Sequence, residues 1–471
     1  MDSLTRDGKA FLSETYEFRV KVQSCGHFFA GRLSLAPEKI ELHISGDLHE
    51  DRMHDLDPAS IDQLVCESLN RKFVLIDLRF TKNHIDWIDI GRRLRHFEYT
   101  YDASGVLIAP HGFRATEIHE INIHSPIVAD WVGTTISQHN FLTSYGLEHI
   151  APLQNVLSLD IPQRGTFEIA HRTFRHFSQA MRSAGVEYEI FTSFMPSECF
   201  SPQAAFEFIG EFRCLFEIIE GGDPLITMVH VKERGLDAYL YYPTINAHPR
   251  HPLSGNLFPL GRDLLHPRDL PEFPVASIAA FFSLEASIME RWRKTVRYRN
   301  LGVIEDRFLG AFRLIEAFTL QQSRYIQDGE LLDEFLARLK PIAIRMFGSE
   351  RSKDVRGLLA RIPRLNQSRY NTAACMQKFF KTLPASLTSA WRFQISDIPD
   401  ICDKRNNITH ANPYFFKDSD IHLWTAFVET LLFVALMDSI EVPRDATFRI
   451  LPRLGSYTLL LNPEPADSLP G

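Results

Sequence analysis

What this chain lacks narrows the field first. Its six cysteines (Cys25, Cys66, Cys199, Cys214, Cys375 and Cys402) include no C-x-x-C pair, which argues against a zinc ribbon or a disulfide framework and fits a reducing compartment. No H-E-x-x-H occurs among the nineteen histidines, and the pairs His49/His54 and His248/His251 fall in polar or proline-rich loops without ligand spacing. We therefore expect no metal and no cofactor. There is no G-x-G-x-x-G leading from a strand into a helix and no Walker loop, which excludes the common nucleotide folds. The first residues, Met1 to Lys9, form no apolar signal segment. The longest apolar run, Leu431 to Met437, is far short of the ~18–20 continuous residues of a membrane span. The expected location is the cytoplasm.

What is present is an ordinary globular composition, 45% hydrophobic and 23% charged over 471 residues. That length suits roughly three modules. The formal net charge of −8 does not mark a general nucleic-acid binder. Its distribution is uneven, with −11 over residues 1–270, +4 over 271–450 and −1 over 451–471. Residues 351–392 carry nine Lys or Arg against the single Asp354, a local field able to attract phosphate.

Residues 1–150 read as a β-rich module. Tyr16, Phe18, Val20 and Val22 alternate with polar neighbours, as do Ile40, Leu42 and Ile44. Residues 151–245 read as mixed, with a helix expected at Thr173–Ser183 and an apolar helical face at Phe206, Ile209, Phe212, Phe216 and Ile219. Seven prolines between Pro243 and Pro274 mark residues 246–274 as a linker, since proline sustains neither helix nor central strand. Residues 275–445 turn helical, ending in a strongly apolar helix at His422–Ile440 that calls for burial in a bundle or a partner interface. Two short strands, Thr447–Leu451 and Tyr457–Leu461, are expected in the final segment 446–471. The predicted class is α+β: a sandwich-like β-rich half with some helices, then an all-α bundle.

The chemistry-bearing stretch is Asp403-Lys404-Arg405-Asn406-Asn407-Ile408-Thr409-His410. Arg can hold a phosphate in a bidentate fork, and His moves protons near neutral pH. Spacing alone is weak, because Arg79/His84 and Arg114/His119 share the same gap. Neither has Asn after the Arg, and both fall in strand or loop. The Ser396–Asp400 stretch looks like a helix start and Pro413 a helix stop, so Arg405–His410 occupies the last turns of a short helix. Five steps of ~100° leave about 140° between the two side chains. Either the last turn frays to let them converge, or a second copy completes the site.

The Arg405-Asn406-x-x-x-His410 core, in the penultimate helix of an all-α domain behind a β-rich half, resembles the ApeA-type HEPN proteins of bacterial anti-phage defence. Glu305–Leu309 through Leu314–Phe318 resembles that family's early helix, and Gly31-Arg32-Leu33 with Ile40–Gly46 is similar to its N-terminal domain. The resemblance implies a metal-independent endoribonuclease leaving 2',3'-cyclic phosphate and 5'-hydroxyl ends, with host RNA, tRNA above all, as substrate in abortive infection. It gives His410 a general acid or base role, Arg405 the scissile phosphate, and Asn406 and Glu316 support. Lys404, Arg361, Arg364 and Arg369 would track the RNA backbone, and the domain would assemble as a homodimer or higher homo-oligomer. The N-terminal half would sense a phage-derived trigger or restrain the domain. The competing reading is a non-catalytic HEPN interaction or sensor protein.

Overall fold

The computed structural model describes residues 8–24, 27–49, 61–143, 153–178, 183–244, 257–266, 269–321, 324–366, 371–410 and 417–462. The chain divides into two compact units, 1–289 with 440–442, and 290–439 with 443–471. The class is α+β, with a β-rich N-terminal half and a helical C-terminal half.

Among the described residues thirteen strands form one antiparallel sheet in the first unit: β1 (Tyr16–Ser24), β2 (His27–Ala36), β3 (Lys39–His49), β4 (Ile61–Glu67), β5 (Lys72–Asp89), β6 (Leu94–Ala103) and β7 (Gly105–Ala109), then β8 (Glu120–His124), β9 (Leu153–Ile161), β10 (Gly165–Ser178), β11 (Ser183–Pro196), β12 (Met228–Glu233) and β13 (Leu236–Tyr241). The order is β4-β1-β2-β3-β6-β5-β7-β13-β12-β8-β11-β10-β9, and β4 also pairs with β5. That extra pairing closes β1 to β6 into a ring, which removes the exposed edges of those strands. Strands from 1–150 and from 151–245 thus share one sheet. Among the described residues α1 (Pro126–Val132), α2 (Ile136–Thr143) and α3 (Pro202–Glu220) accompany it. On α3 the expected apolar face is buried at Ile209, Phe212, Phe216 and Ile219, while the Phe206 ring sits against Gly105.

The helix expected at Thr173–Ser183 is instead the hairpin of β10 and β11, in register from Gly165↔Pro196 to Ser178↔Ser183. The alternation that starts at Thr166 lapses here, but Thr173, Phe174 and Phe177 are all β-favouring residue types. Positions 179–182 lie outside the described residues. Of the proline-rich stretch, 245–256 and 267–268 lie outside them too. Leu257, Phe258 and Leu260 are buried, and Trp131 Nε1 donates to the Phe258 carbonyl at 2.7 Å.

Helix α4 (Ala276–Phe282) belongs to the first unit too and packs on β9; the helical part follows with α5 (Ala286–Arg299), α6 (Ile304–Thr319), α7 (Gly329–Phe347), α8 (Ser352–Leu359) and α9 (Ile362–Asn366). It continues with α10 (Thr372–Phe380), α11 (Ala385–Thr388), α12 (Ile398–Thr409), α13 (Asp418–Ser439) and α14 (Arg444–Ile450). Helix α13 runs through the centre, packed along α6. By length and composition Ser419–Ser439 is apolar enough to cross a membrane, but 72% of it is buried inside the protein. Its apolar surface is core. Arg307 on α6 forks onto the Glu429 carboxylate of α13, and the buried hydroxyls of Thr425 and Thr430 donate back to Ile421 and Ala426 carbonyls at 2.6 and 2.8 Å.

The strands expected at Thr447–Leu451 and Tyr457–Leu461 are not formed. Thr447 N–H donates to the Pro443 carbonyl at 3.0 Å and starts α14, and short 3-10 turns follow at Leu451–Arg453 and Tyr457–Leu460. Buried Thr447, Ile450 and Leu451 recur at helical spacing, so the core selects helix over the β-rich local composition.

Gly310 on α6 lets α5 approach closely. A Cβ there would stand 2.5 Å from Tyr298 Cγ. Alanine ordinarily favours a helix over glycine by ~1 kcal/mol, yet here the near end of the ring has no room to swing away. Gly310→Ala is expected to destabilise this part of the chain by about 1–3 kcal/mol, read as a lowered melting temperature.

Candidate active site

Helix α12 starts with Pro399 in its first turn, as the sequence suggested. Asp397 does not cap it through its side chain, however, and its carboxylate instead accepts from Gln394 N–H at 2.7 Å. Ile398, Ile401 and Cys402 are buried, anchoring α12 against α6 and α10. Arg405 follows Ile401 by four and Cys402 by three residues, so it extends this inward face.

A built environment receives it. Arg405 Nη2 donates to Glu316 Oε2 at 2.9 Å, and Nη1 donates to Asn406 Oδ1 at 3.0 Å. The guanidinium carbon lies 5.3 Å from the centre of the Phe312 ring, a distance at which the ring quadrupole attracts a cation. Phe312 and Glu316 are four apart on α6 and so share a face. The second Glu316 oxygen accepts from the Thr372 hydroxyl at the start of α10, whose first turn is capped by Asn371. Three helices thus fix one guanidinium.

Arg405 keeps donors in hand. Each Nη has a second proton, and the side chain is 22% exposed, whereas its Nε is buried without a hydrogen-bond partner among the described residues and lies out of reach of an anion. A cation held on one side with open N–H groups is suited to an incoming anion.

Beside it, burial pushes the Cys402 thiol up to about 12, helped by the charges of Asp403 and Glu316 and opposed by Arg405. The thiol stays protonated at neutral pH and is no nucleophile.

His410 sits at the C-terminal cap of α12, exposed. Its N–H donates to the Asn406 carbonyl at 3.0 Å, so the helical turn is closed rather than frayed. The two side chains of one copy therefore keep the angular separation of about 140° that an intact helix imposes. Residues 411–416 lie outside the described residues.

Lys404 is half-buried next to Arg405. Arg361 and Arg364 are exposed at α9, which is tied through Asn366 to the Tyr325–Ile326 turn. No hydrogen bond or ion pair joins them to Arg405 among the described residues. Arg369 lies outside the described residues, as do His54, His248 and His251. The pairs of like spacing elsewhere have other surroundings: His84 contacts Asp86 at 2.7 Å on strand β5, and the Arg114 N–H donates to the Glu233 carboxylate. Among the described residues no group of three or more His, Cys, Asp or Glu could hold a metal.

Sequence reasoning missed Phe312 and Thr372. The first could have been found from its four-residue spacing to Glu316. The second has no signal in the chain, because only the packing of α10 brings it to the carboxylate.

A family model described as Apea-like HEPN matches residues 309–446, from within α6 into α14. Residues 309–446 are an Apea-like HEPN domain. Neither the curated proteins nor the solved structures yielded a match to the chain. HEPN domains are generally RNases and often pair and bind RNA, and the match suggests a nuclease-like function in defence. In this HEPN domain the matched segment contains the whole Glu316–Thr372–Arg405 cluster and His410.

Proposed function

We propose that the chain is a metal-independent endoribonuclease acting in the cytoplasm in anti-phage defence, halting the infected cell by cutting its RNA, tRNA above all. The observation that carries this reading is Arg405, clamped by Glu316, Asn406 and Phe312 yet keeping free N–H donors, on the helix that ends at exposed His410.

In the proposed reaction His410 removes the proton of a ribose 2'-hydroxyl. The 2'-oxygen attacks the adjacent phosphorus, a new P–O bond forms, and the P–O5' bond breaks. Arg405 holds the phosphate and offsets the charge that grows on its oxygens. The proton taken by His410 is then passed to the leaving 5'-oxygen, so the products are a 2',3'-cyclic phosphate and a 5'-hydroxyl. Asn406 and Glu316 fix the guanidinium, and Lys404 adds positive charge beside it. Because α12 is closed through His410, Arg405 and His410 of one copy diverge, and the reading takes its convergent site from two copies. The N-terminal half would serve as the sensor or restraint.

The test is to incubate purified full-length protein with total tRNA in the presence of EDTA and map the fragment ends. Cyclic phosphates and 5'-hydroxyls that appear with the wild type and not with Arg405→Ala are expected. Cleavage requiring added divalent metal, or surviving Arg405→Ala unchanged, overturns the reading.

A further inference from the structure

Between Arg291 and Arg299 helix α5 sets four Arg and one Lys with no carboxylate among them, and it precedes the residues that the family model matches. Two of these cations turn towards the protein. Arg291 Nη1 donates to the Ala317 carbonyl at 3.2 Å, and Arg299 is half-buried. Buried Trp292 and Thr295 mark the inward face. Away from it, Arg293 and Arg297 are exposed, and the Lys294 side chain is 44% exposed.

Two contacts fix how α5 lies against α6. Arg291 reaches Ala317, and the Tyr298 ring occupies the space beside Gly310. These contacts are about two turns apart on either helix and run in opposite order, so the helices are antiparallel. Lys294 then stands level with Leu314, and Thr295 with Arg313. Lys294 lies three residues beyond Arg291, and Arg313 three beyond Gly310. Each is therefore turned by about 60° out of the contact and away from buried Trp292 and Ala311. Both stand on the solvent side of the α5–α6 groove at nearly one height. Arg313 is exposed and, three residues before Glu316, shares its flank of α6. Glu316 in turn holds Arg405 Nη2 at 2.9 Å. Cations thus run from Arg293 and Arg297 over Lys294 and Arg313 to the candidate site, across three helices and about 20 Å. Arg297 and Arg313 have no hydrogen bond or ion pair among the described residues. The carboxylates beside the run are Glu290, which pairs with Lys294 at 3.5 Å, and exposed Asp306, two turns before Arg313.

We propose that this run is a track for the phosphates of an RNA strand leading into the Arg405 site. The idea deepens the nuclease reading and rests on it only for where the strand leads. Exposed guanidiniums fork onto phosphate oxygens. Contacts to the backbone carry no sequence information, so the track sets affinity and the length of RNA required, not the base that is cut. An acidic protein would meet the same charges. Continuity with Arg405, which keeps open Nη protons at the end of the run, favours a chain of repeating phosphates.

The test takes the full-length protein and a fluorescent RNA oligonucleotide with 2'-O-methyl groups throughout, which lacks the hydroxyl that cleavage needs. Binding is followed by fluorescence anisotropy in EDTA across a salt series. Arg293→Ala/Arg297→Ala/Arg313→Ala is expected to weaken binding at least about tenfold at low salt. It should also flatten the slope of log Kd against log salt by about two, at ~0.7 per single-strand phosphate. Arg297→Glu/Arg313→Glu changes only the two side chains without partners and should lose at least as much. The triple Arg→Lys variant at 293, 297 and 313 keeps the charges and should stay within about threefold of wild type. Arg19→Ala/Lys21→Ala/Arg32→Ala removes equal charge from the exposed face of β1 and β2 and should bind like wild type. Wild type that does not bind, track variants that bind like wild type, or a β1–β2 variant equally weakened overturns the proposal. So does displacement of the RNA by polyglutamate of equal charge at equal concentration, which would give the track to an acidic protein. Because the probe cannot be cut, the two readings separate. Wild type that binds through these arginines yet never cleaves tRNA sinks the nuclease reading and leaves the track standing, and tRNA cleavage with no dependence on the arginines does the reverse.

Discussion

Arg405→Ala is expected to lower RNA cleavage by about a thousandfold, the scale on which a charge that stabilises a phosphoryl transition state is felt. The guanidinium is half-buried and ion-paired, so its removal also leaves the Glu316 carboxylate with only the Thr372 hydroxyl as a hydrogen-bond partner among the described residues. That costs about 1–3 kcal/mol of stability. Loss of activity could then reflect unfolding, and Arg405→Lys separates the two. Lysine keeps a positive charge opposite Glu316, so the domain should melt close to wild type. It lacks the planar fork, and cleavage should still fall about a hundredfold. An Arg405→Lys protein that is fully active would show that only charge, and no bidentate hold, is needed at this position. A fully active Arg405→Ala protein would remove the site altogether.

His410→Ala is expected to lower cleavage by a similar factor, about a thousandfold for loss of a positioned general base, with a stability change within about 0.5 kcal/mol because the side chain is exposed. The larger consequence follows on mixing. If one copy supplies Arg405 and another His410, a mixed dimer of Arg405→Ala and His410→Ala chains holds one intact site and one doubly broken site. With random exchange of subunits, activity should return to about a quarter of wild type. A site formed within one chain gives no recovery at all. The closed turn from Asn406 to His410 is the reason to expect recovery, since it denies the fraying that would bring the two side chains of one copy together.

The helical half was largely legible because its signals are local. Pro399 opens α12, Ile401 and Cys402 mark its inward face, and Arg405 extends that face by one turn. The Asn following Arg405 was part of the motif, and the structure gives it a bond to the guanidinium. Glu316 was named from the resemblance, and the ion pair to Arg405 brings it to the same place. Where the reading failed, local pattern and tertiary context conflicted. Thr447–Leu451 is rich in β-favouring residues yet folds as helix, because buried positions three and four apart face one core. Thr173–Ser178 has a mixed local pattern and becomes strand, because β11 pairs with it in continuous register out to Ser178↔Ser183.

By itself the sequence determined the α+β class, the helical C-terminal half, and the place of Arg405 and His410 at the end of a short helix, since periodicity, proline punctuation and a contiguous motif are all written within a few residues of one another. Only the tertiary structure decided that Glu316, Phe312 and Thr372 close around Arg405 while His410 stays outside, and that Lys294 of α5 stands level with Arg313 beside that cluster. Those facts depend on residues tens of positions apart, and on which face of each helix the packing consumes. No local window contains either.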